Sequence, residues 1–214
     1  MDPTSSPARL RIARVFGIPI YLHFSWVILF GLIVWTLATG YFPAQDPDLP
    51  ATSHWARGLV ASLLLFVSIL LHELGHGLVA RRAGIGIRSI TLFIFGGVAQ
   101  LGKDPEDGQT ELKMAAAGPA VSFALAALFE AISRASSFGP ATRAVSHYLA
   151  LINFMLAVFN LIPAFPLDGG RLLRGFLWNR LGKARATRTA AGAGSFFAFL
   201  MMGAGVLNLL SRRP

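Results

Sequence analysis

The chain has 214 residues, 54% of them hydrophobic and 14% charged, with a mean hydropathy of +0.59. A soluble domain carries about 25% charge, so a water-soluble enzyme, a disordered chain and a coiled coil are all disfavoured, and a polytopic membrane protein is indicated. The net charge of +9 comes from 19 Lys+Arg against 10 Asp+Glu, clustered between apolar runs as the positive-inside pattern requires and without the basic–aromatic interleaving of a nucleic-acid binder.

In chain order, residues 1–8 read as a disordered Pro/Ser-rich tail. Arg9, Arg11 and Arg14 follow, and residues 1–16 together form the expected cytoplasmic tail. From residue 17 to 214 a single membrane domain is expected, with no further regulatory domain in this sequence. The first apolar run, Ile18 to Tyr41, reads as a retained span. A loop from Pro43 to Pro50 leads to the second run, Leu59 to Ala80, closed by Arg81-Arg82. The stretch Ile85 to Leu101 is β-branched, aromatic and broken by Gly96-Gly97, which predicts two extended segments around a Gly turn. Such backbone is tolerated at membrane depth only when protein or water shields it. Further spans are expected over Leu112–Ile132 and Ala144–Phe165. Six cations between Leu167 and Arg188 suggest an amphipathic interfacial helix, and Thr189–Leu210 a last span. The fold class expected is an all-α polytopic membrane protein of five or six transmembrane helices, with a Gly-turn β-hairpin or re-entrant segment after the second. With the N-terminus inside, fourteen cations flank the cytoplasmic side and five the other, Arg212 and Arg213 among them.

Three acids lie in or against apolar stretches: Glu73, Glu130 and Asp168. An ionisable group there is costly and marks function by default. Glu130 has Arg134 at i+4, which a plain ion pair explains. Glu73 belongs to His72-Glu73-Leu74-Gly75-His76. On a helix, His72 and His76 share one face. Two imidazoles so placed can bind one Zn²⁺, with Glu73 as general base on a water held by the metal. With no cysteine in the chain, any metal must rely on His and carboxylate. Asp168, beside Pro163, Pro166 and Gly169-Gly170, is the natural third ligand, its alternatives being an N-cap or a partner for Arg171. His72 is nine residues from Arg81, about 14 Å of helix, so the site lies within the membrane near its cytoplasmic side.

These residues carry a resemblance. HELGH at 72–76, GPAVS at 118–122 and NLIPAFPLDGGR at 160–171 resemble the site-2 protease family of intramembrane zinc metalloproteases, and GIPIYLHFSW (17–26) and FGGVAQ (95–100) match in style. The resemblance implies His72, His76 and Asp168 as ligands of one zinc ion and Glu73 as the base. It also implies regulated cleavage of a single-span membrane protein within the bilayer. Gly118, Ser122 and Asn160 fit further family positions; Asn160 and Ser122 are expected to bind substrate or an oxyanion, and the Gly96-Gly97 hairpin to clamp an unwound substrate strand. Asn153 is expected to pack between helices. His23 is either a satisfied structural group or part of a water path to the metal, and His54 and His147 read as interfacial. No nucleic-acid partner is expected, and oligomeric state is left open. A membrane metal transporter and a catalytically silent adaptor of the same fold are the alternatives.

Overall fold

The computed structural model describes residues 9–94, 96–135 and 137–211. The expected disordered tail at 1–8, Phe95 of the Gly turn, and Arg212-Arg213 lie outside the described residues. The elements run β1 (Arg9–Val15), β2 (Ile18–His23), α1 (Ser25–Thr36), a π-turn (Leu37–Tyr41), α2 (Phe42–Gln45), α3 (Ala51–Arg82), β3 (Ile87–Phe93), β4 (Gly96–Leu101), α4 (Gly108–Arg134), α5 (Pro140–Asn160), α6 (Asp168–Leu181) and α7 (Lys183–Ser211). Among the described residues, five helices are long and apolar enough to cross a membrane: Ser25–Gln45, which joins α1 to α2, then α3, α4, α5 and α7.

The N-terminal region departs from expectation. Residues 9–15 are not a tail but a strand, and residues 18–23 belong not to the first span but to its partner. The hairpin turns at Phe16-Gly17, and the expected domain boundary at residue 17 falls inside that turn. The predicted β3–β4 hairpin is present, and β2 joins it in parallel to make a four-stranded sheet of order β1-β2-β3-β4.

The length of α3 explains where the sheet sits. Its 32 residues span about 48 Å, against about 30 Å of hydrocarbon. Trp26, at the start of α1, packs on Phe66 with ring centroids 4.8 Å apart. Beyond that level α1 leaves the C-terminal half of α3 uncovered, and the sheet covers it. Ile18, Ile20 and Ile90 bury against Leu74, and Arg81 donates to the carbonyl of Phe16 at 2.7 Å. Ladder pairing satisfies the strand backbone at this depth. At the other end, Leu37 and Phe42 pack with Ala61, Leu65, Val145 and Leu149. His54 lies buried there rather than at a wet interface, whereas His147 is exposed. Glu130 takes its expected bond from Arg134, at 2.6 Å.

Asp107 caps α4 by accepting from the Thr110 amide, and the hydroxyl and amide of Thr110 hold its carboxyl below the usual range. The amphipathic segment stops earlier than expected. Gly182 (φ +76) ends α6 in a conformation that L side chains rarely adopt. The last span therefore starts at Lys183 rather than Thr189.

Candidate metal centre

Four helices build the site. α3 presents His72 and His76 one turn apart, and α4 crosses behind them. α5 ends at Asn160, and the chain then turns through Pro163 and Pro166 before Asp168 opens α6. Gly169 and Gly170 let this first turn of α6 lie directly on the backbone of residues 161–165; a Cβ on Gly170 would stand 2.6 Å from the Phe165 nitrogen. That contact brings the carboxylate to the histidines.

The Nε2 atoms of His72 and His76 are 3.2 Å apart, and Oδ2 of Asp168 lies 3.2 Å from the first and 3.1 Å from the second. All three residues are buried. The other ring nitrogen of each histidine is also held. His76 donates Nδ1–H to the carbonyl of Met114 at 2.7 Å, which leaves Nε2 of the neutral ring with a lone pair. His72 Nδ1 meets the Ser122 hydroxyl at 2.8 Å. Two ring nitrogens and a carboxylate oxygen thus converge within 3.2 Å of one another, an arrangement that can hold a cation. Tetrahedral zinc with ligands at about 2.0–2.1 Å would space them about 3.3 Å apart. The donor set and its outer hydrogen bonds fit Zn²⁺ with one position left for water or substrate.

Glu73 follows His72 and faces a cavity of about 640 Å³ that also exposes the three donors. Leu29, Ile69 and Leu156 from the spans, Gly96 to Ala99 of β4, Asn160 and Arg171 line it as well. Gly97 packs against Glu73: a Cβ there would stand 3.2 Å from Oε1. Gly118 lies flat against both imidazoles, where any side chain would strike their Nε2 atoms.

The other expected site residues divide. Asn160 lines the cavity, its amide donating to the Leu156 carbonyl at 3.0 Å. Ser122, expected among the substrate-binding groups, is fully buried behind His72 and bonded to it. Asn153 is away from the cavity, donating to Ser68 and to Leu149 between α3 and α5. His23 is a local cap and not a wall of the cavity: its Nδ1 accepts from the Ser25 amide at 3.2 Å, and the Ser25 hydroxyl accepts from the Ile94 amide at 3.2 Å, tying the start of α1 to the β3–β4 tip. Sequence reading missed Glu111, placed near a span end but wholly buried under Arg174 and Arg171. Only the i, i+3 arginines of α6 hinted that an acid must face them.

The chain is similar to several known proteins. The model of peptidase family M50 matches residues 60–138 and 131–204. A Synechocystis protein named "Putative zinc metalloprotease sll0528" is 39% identical over 206 residues, 96% of this chain and 54% of its own length. The zinc metalloprotease MJ0392 of Methanocaldococcus jannaschii is 38% identical over 200 residues, 94% of this chain and 55% of its own. The chain thus spans about half the length of the curated relatives it matches. The solved site-2 protease from Methanocaldococcus jannaschii superposes with a TM-score of 0.66 at 35% identity, covering 94% of this chain and 86% of that one. With its apolar helices and buried His-His-Asp cluster, the chain is an integral membrane protein and belongs to peptidase family M50.

Proposed function

We propose that this chain is the catalytic core of an endopeptidase that cuts the membrane-spanning segment of an anchored substrate. One observation carries the reading: Glu73, the three metal donors and an edge strand open on a single cavity walled by membrane helices. Zinc held there would supply Lewis acidity toward a peptide carbonyl and toward water. His72, His76 and Asp168 are the residues that hold it. Glu73 takes the proton from the attacking water and returns it to the leaving amide nitrogen. Asn160 is the amide placed to meet the substrate carbonyl.

A helical substrate hides its peptide bonds, so it must unwind before it is cut. β4 ends the sheet and lines the cavity, so an unwound segment can add to its edge and lie extended past Glu73. The charge distribution supports a cytoplasmic N-terminus and a site near that face.

The test is cleavage of a single-span protein co-reconstituted with the chain in liposomes, with products weighed by mass spectrometry. The expected cut falls inside the span, stops with a chelator and returns with zinc. Cutting confined to soluble segments, or indifferent to chelator, would contradict the reading.

A further inference from the structure

Glu111 is an acid the proposed chemistry leaves unused. It sits in the first turn of α4 with no solvent exposure, and a buried charge is costly unless paired. Two arginines of α6 pair it. Arg174 donates Nε to Oε2 at 2.8 Å and Nη2 to Oε1, and its guanidinium lies over Phe165, 5.2 Å from the ring centroid. Arg171 Nε stands 3.6 Å from the same Oε1. Asp168, Arg171 and Arg174 follow at three-residue spacing on one face of the helix. Arg171 Nη1 lies 4.0 Å from Oδ1 of Asp168, the oxygen turned away from the histidines. Arg171 is therefore shared between two carboxylates, within ion-pair range of both and closer to Glu111.

We propose that Glu111 is a positioning residue for the Asp168 ligand: by holding Arg171 it keeps that guanidinium from closing a two-pronged pair on Asp168, and so leaves the carboxylate to the metal. The Arg–carboxylate fork is among the strongest ion-pair geometries, and a released Arg171, one turn from Asp168 in a partly dry cavity, would form it. A guanidinium bonded to both oxygens competes with a cation coordinated at Oδ2. Arg174 poses no such threat, since its two hydrogen bonds commit it to Glu111. The inference rests on the metal reading of His72, His76 and Asp168.

The test is zinc affinity of the detergent-purified chain, measured against a competing chelator, with the melting temperature of the zinc-free form recorded alongside. Wild type must bind stoichiometric zinc; if it does not, the metal reading fails before any variant is compared. Glu111→Gln is expected to bind zinc about 10- to 100-fold more weakly, the range for lost outer-shell partners. Arg171→Gln is expected to bind like wild type, and the double variant to recover most of the loss, a rescue that mere packing would not give. Glu111→Asp keeps a counter-charge for Arg174 while drawing it back from Arg171, and covers the case in which Glu111→Gln does not fold. It should show a smaller loss, again relieved by Arg171→Gln. Wild-type affinity in both Glu111 variants overturns the proposal. A loss that Arg171→Gln does not relieve also overturns it and leaves Glu111 a packing residue.

Discussion

At the scale of single residues, the candidate centre depends as much on what stands behind the proposed ligands as on those ligands. Gly118 leaves room for two imidazoles, while Met114 and Ser122 occupy their far nitrogens. Gly118→Ala is expected to abolish stoichiometric zinc binding, because the added methyl takes the place of the rings. Ser122→Ala should fold normally and bind zinc about 10- to 100-fold more weakly. Zinc analysis of the purified variants checks both, and wild-type affinity in either would show that the close contacts do not matter. The convergence of His72, His76 and Asp168 was legible in the sequence because two imidazoles and an acid inside apolar runs have few other uses. Ser122 was misread because spacing alone does not say which neighbour a hydroxyl meets. Glu111 was passed over because it adjoins a polar loop, and only the fold reveals that α6 closes over it.

At the scale of elements, the strands at the two ends of the sheet read very differently. β3 and β4 announce themselves by β-branched residues around Gly-Gly. β2 does not, since a short, mostly apolar run continuous with a helix has no period to separate the two. The arginines of β1 look like a membrane flank and conceal a strand. The helix breaks followed the same rule: Pro163 and Pro166 were visible, whereas Gly182 lies within a run of cations that masks the join. The two free edges of the sheet make separate predictions. A photo-crosslinker at Val98 on β4, in the cavity wall, should capture substrate, and one at Leu10 on β1 should not. Equal capture at both would sink the strand-addition reading.

At the scale of the whole molecule, five apolar spans are found among the described residues, and α1, α3, α4 and α5 of them line the largely apolar cavity that holds Glu73 and the His-His-Asp cluster. Span number and charge asymmetry were readable from composition. The place of the sheet along α3 was not, because it follows from a mismatch in length between two packed helices. Orientation can be tested cleanly, since the chain has no cysteine. Asp48→Cys should react with a membrane-impermeant thiol reagent added outside intact cells, and Lys103→Cys should react only after lysis; the reverse pattern would invert the topology. On the proposed function, a metal held by His72, His76 and Asp168 would work with Glu73 to break a peptide bond. The most direct measurement compares wild type with Glu73→Gln for bound zinc and for cleavage of a single-span substrate in the same preparation. The account predicts equal, stoichiometric zinc in both and a fall in cleavage of about 10²- to 10⁴-fold in the variant. Cleavage undiminished in the variant, or folded wild type without metal, would contradict it.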